Sequence, residues 1–171
     1  MNEGTTPDPL RIALLTLSDS RDESTDRSGQ LLREELCSAG HDIVDQAIIP
    51  DCRWRMRSQI CQWVAADIDV IITTGGTGIT GRDVAPEAVE ALFDKPLPGF
   101  GELFRQLSYE DIGASTIQSR ATAGLCGTTL VFTIPGSTNA CRLALESILI
   151  PQLDARTRPC NFANLRGRFS E

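Results

Sequence analysis

The chain has one histidine, one lysine and one tyrosine among 171 residues, and no two of its six cysteines are spaced Cys-x-x-Cys. With His41 as the only histidine, a zinc site would need ligands scattered over the whole chain. A disulfide framework does not suit a core-forming chain of this length, so most of Cys37, Cys52, Cys61, Cys126, Cys141 and Cys160 are expected as small buried apolar side chains. A basic excess is also missing. Lys and Arg number 16 against 23 Asp and Glu, a net charge of −7, which disfavours general DNA or RNA binding. The apolar runs are too short to span a bilayer, and the first residues show no basic-then-apolar signal pattern, so no membrane partner and a cytoplasmic location are expected.

What is present suits a folded domain. Hydrophobic residues make up 41% and charged residues 23%, and the length matches one domain at about 150 residues per domain. Fifteen of the 16 basic residues are arginine, which suits pre-organised anion contacts and equally suits a compositional bias. Residues 1–10 read as a loose, flexible tail broken by two prolines, and residues 163–171 as a polar C-terminal tail.

Between the tails, strand and helix patterns alternate. Arg11–Leu17 is a continuous apolar run of buried-strand type, followed by the polar loop Ser18–Arg27 and a helix from a Ser28 cap to about Ala39. A second cycle gives a strand over His41–Ile49 and a helix over Arg53–Ala66, and a third gives a buried strand at Asp69–Thr74 and a short helix from Pro86 to Phe93. A helix over Phe100–Tyr109 follows. Ala121–Leu125 and Thr128–Ile134 flank Cys126-Gly127 as a hairpin, and a helix over Asn139–Leu149 is capped by Ser137 or Thr138. The pattern predicts a three-layer αβα sandwich with a mostly parallel sheet and one antiparallel strand.

The segment Thr73–Asp83, TTGGTGITGRD, is the most informative. Gly76, Gly78 and Gly81 spell Gly-x-Gly-x-x-Gly after a strand, but the helix starts only near Pro86, which disfavours a dinucleotide-binding turn. Gly76 and Gly81 have Walker A spacing, yet Arg82-Asp83 stands where Lys-Ser/Thr is required. What remains is a broad glycine loop at the C-terminal end of a strand, where main-chain amides can crowd round an anion. The loop after β-strand one, Pro50-Asp51, and Pro135-Gly136-Ser137 should reach the same edge. Asp51 and Asp83 could then face each other across a phosphate cradle with a divalent cation between them. The alternatives are plain: Asp83 as cap of the Pro86 helix, and Asp51 as a turn former after Pro50.

Taken in order, TTGGTG, RDVAPEA, PGFGELFRQLS and a strand ending in PGS resemble the MoaB/MogA family of molybdopterin-binding proteins of molybdenum cofactor biosynthesis. The resemblance runs from Arg11 to Phe162 as a single domain, and LDARTRPCNF (Leu153 to Phe162) resembles the MoaB branch in particular. It implies a three-layer α/β fold in homotrimers or homohexamers, and an adenylyltransferase that joins molybdopterin to AMP from Mg-ATP with release of pyrophosphate. By motif, the two aspartates of that reaction fall on Asp51 and Asp83. The pterin and nucleotide cradle falls on Ser18, Thr74, Gly75, Gly76, Thr77, Gly78, Pro135, Gly136 and Ser137, with Glu102 and Ser108 in a further matching motif. Mg²⁺ accompanies ATP in this reading, and no tightly bound metal is expected. Two other functions share the cradle: a non-catalytic molybdopterin carrier beside an active MogA-type paralogue, and a nucleotide hydrolase.

Overall fold

A computed structural model describes residues 8–171; most of the expected N-terminal tail lies outside them. The apolar run Arg11–Leu17 forms β1, with every residue after Arg11 buried. Helix α1 (Arg27–Ser38), β2 (Asp42–Ile49), α2 (Arg53–Ala65) and β3 (Val70–Thr74) complete the first two crossovers. α3 (Ala85–Val89), the two-residue β4 (Lys95–Pro96), α4 (Pro98–Ile112), β5 (Thr122–Cys126) and β6 (Thr129–Ile134) follow. The strand order is β2-β1-β3-β6-β5-β4. β2, β1, β3 and β6 are parallel, and β5 runs against both of its neighbours, so it is the one reversed strand.

Two apolar layers cover the sheet. On one face, Leu31, Leu32 and Leu36 of α1, Phe100 and Phe104 of α4 and the final long helix meet Ile12, Leu14, Ile72 and Phe132. On the other, Met56, Ile60 and Trp63 of α2 and Ala85, Ala88 and Val89 of α3 pack on Ala13, Leu15, Ile71 and Val131. Successive strand residues point to opposite faces, so one apolar run feeds both cores.

Several elements differ from the sequence reading in detail. Asp26, not Ser28, caps α1: its carboxylate accepts the Gly29 amide at 3.0 Å and the Thr16 hydroxyl at 2.5 Å. Ser28 is instead buried and donates to the Gly136 carbonyl at 2.8 Å. Cys126 pairs with Thr129, so the hairpin turn is Gly127-Thr128, with Gly127 at φ +57° where glycine is favoured. The helix expected at Phe100–Tyr109 is longer, with Pro98 in its first turn, and β4 pairs through two residues only. The helix expected to stop at Leu149 runs from Thr138 (α5, Thr138–Ala144) through a wide π-turn at Leu145–Leu149 into α6 (Ile150–Leu153). Pro151 lacks an amide and would crowd the preceding turn, and the π-turn opens the helix there. Only Cys126 and Cys141 are buried; Cys160 is exposed and Cys52 half-buried, and Cys37 and Cys61 are exposed because α1 and α2 turn these positions away from the sheet.

The end of the chain folds back over the N-terminal end of the sheet. Phe162 opens α7 (Phe162–Leu165) with its ring 5.9 Å from that of Phe132, and Ala163 and Phe169 pack on the same core. Residues 163–171, expected as a polar tail, thus contain helical turns as well as the arginines Arg166 and Arg168. No helix among the described residues is long and apolar enough to cross a membrane.

Candidate functional site

The parallel strands end together, and their loops meet at one edge. Ser18, Asp19, Ser20 and Arg21 after β1, Asp51 after β2, Gly76, Arg82 and Asp83 after β3, and Gly136 after β6 line a cleft of about 410 Å³. A second cleft of about 320 Å³ shares Gly76, Asp83 and Gly136. It adds Gly75, Thr77, Gly78, Phe104, Ser108, Pro135 and Ser137. Thr74, buried at the end of β3, donates its hydroxyl to the Pro135 carbonyl at 3.0 Å and so ties the glycine loop to the Pro-Gly-Ser corner. A larger hollow of about 960 Å³ adjoins the first at Ser18, Asp19 and Arg21, but it lies along α1 and the edge strand β2 and includes neither Asp51 nor Asp83. Glu102 is exposed and faces a separate groove with Glu87, Arg105 and Arg120. All the residues singled out above except Glu102 therefore converge on one edge.

Local backbone demands explain the glycines. Gly75 has φ +99°, and a Cβ there would lie 2.5 Å from the Leu17 carbonyl oxygen. Gly76 has φ +67°, with the Asp51 carboxylate 3.3 Å from its would-be Cβ. A Cβ on Gly78 would come within 2.6 Å of Asp83 Oδ2. The two carboxylates thus flank the same three-residue stretch, and at Gly78 there is no room for a side chain beside Asp83. Ser137 caps α5, its hydroxyl accepting the Ala140 amide at 3.2 Å. Arg21 donates to the Gly136 carbonyl at 3.2 Å and holds this corner from the β1 side.

Asp83 is not the cap of the Pro86 helix. α3 begins after Val84 without a side-chain cap. Asp83 Oδ2 instead accepts the Thr80 amide at 2.9 Å and its hydroxyl at 2.7 Å. Burial alone would raise the Asp83 carboxyl, but the bonds from Thr80 and Gly78 and the Arg120 charge outweigh it and hold the group below its ordinary value. Asp51 is the opposite case. Burial and the neighbouring Asp83 charge push its carboxyl up. Its amide donates to Asp19 Oδ1 at 3.2 Å, while Asp19 is ion-paired with Arg82. Two close carboxylates of divergent affinity for protons, beside main-chain amides and two guanidinium groups, form a site able to hold a polyphosphate and its counter-cation.

The arginines Arg21, Arg82 and Arg120 and the buried Asp26 were not visible as site residues in the sequence. Arg82 stands inside the Gly-Arg-Asp motif, which offered a signal. Arg21 and Arg120 act mainly through main-chain carbonyls far along the chain, which leave no local pattern, and Asp26 accepts from the Thr16 hydroxyl and the Gly29 amide. His41 is buried at the opposite end of the sheet, where Nδ1 accepts the Leu10 amide at 3.3 Å.

Residues 13–155 match the family described as "probable molybdopterin binding domain". Molybdenum cofactor biosynthesis protein B of Escherichia coli (strain K12) is 56% identical over 155 residues, covering 90% of this chain and 91% of that protein. A crystal structure of a molybdenum cofactor biosynthesis protein B aligns with TM-score 0.88 and 42% identity over 96% of this chain and 98% of the other. The tungsten cofactor synthesizing protein MoaB from Pyrococcus furiosus aligns with TM-score 0.74 and 41% identity, covering 84% and 92%.

Proposed function

The chain belongs to the molybdopterin-binding family of molybdenum cofactor biosynthesis proteins, and from that premise we propose that it adenylylates molybdopterin with Mg-ATP. The observation that carries this reading is the meeting of Asp51 and Asp83 across the Gly76–Gly78 loop, at the edge where Ser18, Arg21 and the Pro135–Ser137 corner also converge. The pterin lies in the cleft walled by Gly75–Gly78, Phe104, Ser108 and Pro135–Ser137, where one side is apolar and the other is rich in amides. The nucleotide phosphates lie against Ser18, Ser20, Arg21 and Arg82.

The terminal phosphate oxygen of molybdopterin attacks the α-phosphorus of ATP. A new P–O bond joins the pterin to AMP, the bond to the β-phosphate oxygen breaks, and pyrophosphate leaves. No protein nucleophile is required, so the chain contributes alignment and charge balance. The donor set fits Mg²⁺: two hard carboxylate oxygens suit a cation that keeps most of its shell as water and phosphate. No cluster of three or more His, Cys, Asp or Glu among the described residues offers a closed protein cage. Asp51 and Asp83 would hold the ion, which when bound neutralises charge on the nucleotide phosphates. Arg21 and Arg82 orient the same phosphates from the other wall.

The assembly proposed is a homotrimer or homohexamer, supported by exposed apolar side chains on and after α4: Leu103, Ile112 and Ile117. Light scattering at micromolar concentration checks it, and a monomer contradicts it. For the reaction, protein saturated with molybdopterin is mixed with ATP labelled at the α-phosphate. Label transferred to the pterin with stoichiometric pyrophosphate supports adenylylation. Pterin binding without transfer would make the chain a carrier, and pyrophosphate or phosphate release without pterin would make it a nucleotide hydrolase.

A further inference from the structure

Arg120 sits in the short connection between the turn after α4 and β5, and it holds four points of the 77–87 segment. Its amide donates to the Thr77 carbonyl at 3.1 Å, and Nε donates to the Gly78 carbonyl at 2.7 Å. Nη2 donates to the Asp83 carbonyl at 3.0 Å, and Nη1 is bonded to the Glu87 carboxylate. The opposite side of Asp83 is its carboxylate, held by Thr80 and packed against Gly78. The guanidinium therefore grips the loop by its carbonyls, while the loop's own amides grip the carboxylate.

The clamp is itself anchored. Arg105 of α4 donates to the Ala121 carbonyl at 3.1 Å and to the Ser119 carbonyl at 3.4 Å, on either side of Arg120. From α2, Arg57 donates to the Glu87 and Ala88 carbonyls at 2.7 and 3.1 Å and fixes α3 from its other side. α3 and the glycine loop are thus braced between α2 and α4 through arginines that line neither of the two clefts at the loop edge.

We infer that Arg120 is a positioning residue: its planar fork sets where the Asp83 carboxylate stands relative to the glycine loop and Asp51. The inference rests on the adenylylation reading for its consequence, but the geometry of the clamp does not. A guanidinium offers five N–H donors in one plane, and here three directions of that plane are occupied by acceptors from three different residues. A lysine keeps the charge, and so the attraction to Glu87, yet it cannot meet Gly78, Asp83 and Glu87 together. Displacing a reacting group by about 1 Å lowers turnover on the order of 100-fold. Of the pterin cleft's walls, Arg120 bonds only the Thr77 and Gly78 carbonyls, while Phe104, Ser108 and Pro135–Ser137 make no bond to it, so affinity should be largely spared.

The test uses full-length wild type, Arg120→Lys and Glu87→Ala, with two readouts. Amide hydrogen exchange across Gly78–Asp83 reports the clamp; steady-state adenylylation of molybdopterin reports its consequence. Arg120→Lys should stay folded, exchange faster at Thr80 and Asp83, and lose about 10- to 100-fold in kcat while KM for molybdopterin changes less than about threefold. Glu87→Ala, which removes one acceptor and leaves the backbone bonds, should lose about 3- to 10-fold in kcat, and it decides the matter if the lysine variant does not fold. Wild-type kcat in both variants overturns the inference, as does a loss confined to KM or a kcat loss with unchanged exchange. If wild type does not adenylylate at all, the functional reading falls separately. The clamp then stands if exchange in Arg120→Lys quickens over Gly78–Asp83 and falls if it does not.

Discussion

At the N-terminal end of the sheet, Asp69 accepts the Arg11 amide at 2.8 Å and faces the Arg166 guanidinium at 3.2 Å, and Arg166 also meets Asp8 at 2.8 Å. His41 is buried there, with its pKa lowered by that burial, and it accepts an amide. At the C-terminal end, Asp51 has no cation at ion-pair distance among the described residues and shares its surroundings with a second carboxylate. The glycines there take left-handed backbone conformations at Gly75 and Gly76. The first end is closed by the returning chain, and its carboxylates Asp8 and Asp69 are ion-paired. The second is open, glycine-lined and unbalanced, which is the pattern of a surface whose remaining charge is supplied by a ligand.

The widest gap between the two ends should come from Asp83→Asn. The change keeps an acceptor for Thr80 but removes a charge that the nucleotide's cation needs, and loss of one preorganised electrostatic partner lowers rate on the order of 100- to 1,000-fold. Pterin titration on the same preparation should be near wild type, and melting only slightly lower, since a carboxyl held below its ordinary value stabilises the fold at neutral pH. Within the loop itself, Gly78→Ala should cost about 10- to 100-fold in kcat, because the new Cβ would lie 2.6 Å from Asp83 Oδ2. Gly81→Ala, three residues on, meets nothing within 4 Å and should leave kcat and melting temperature within error. Equal behaviour of the two alanines would remove the argument that Gly78 is fitted around the carboxylate.

A thiol reagent extends the comparison with a smaller effect. Cys52 precedes α2 at the open end, and the Arg55 and Trp54 amides hold its thiol below the ordinary value. Cys160 is exposed on the returning segment at the closed end. Near neutral pH, Cys52 should react faster than Cys160 by up to about tenfold, and Mg-ATP should slow Cys52 alone. Cys126, pushed up to about 12 chiefly by burial, should react only after denaturation. Mass mapping of labelled peptides over time checks the order.

How far the sequence shows this division depends on the range over which each residue acts. β1 and β3 are legible because a strand covered on both faces is a continuous apolar run, and the glycine loop because it follows one of them. The convergence of Ser18, Asp51, Asp83 and the Pro135–Ser137 corner follows from parallel strands alone. Asp26 and Ser28 are both cap-forming types, and what separates them is Thr16, ten residues upstream of Asp26. Arg120 bonds the carbonyls of Gly78 and Asp83, 42 and 37 residues away, and carbonyls carry no side-chain signature. β4 is too short to show a period, since its pairing is with Leu125 and Gly124 only. Cys37 and Cys61 lie on helix positions where a shift of one residue exchanges the buried face for solvent.

The most direct measurement sets the same substitution at the two ends, Asp51→Asn against Asp69→Asn, and records melting temperature and adenylylation for each. For Asp51 the sign follows from a carboxyl raised in the folded state: the native protein binds that proton more tightly, so stability falls as pH rises from the unfolded value near 3.8 through the raised one. At neutral pH the ionised group therefore opposes folding. Asp51→Asn should melt about 1–3 °C higher, with the gain fading in acid, while turnover collapses. Asp69→Asn loses the Arg166 ion pair and weakens the Arg11 bond, about 1 kcal/mol, and should melt about 2–4 °C lower with turnover intact. Opposite signs in melting temperature, with turnover lost in Asp51→Asn alone, are the expected result. A lower melting temperature for Asp51→Asn with full turnover, or a loss of turnover in Asp69→Asn, would contradict the division of the sheet into a stabilised end and a functional one.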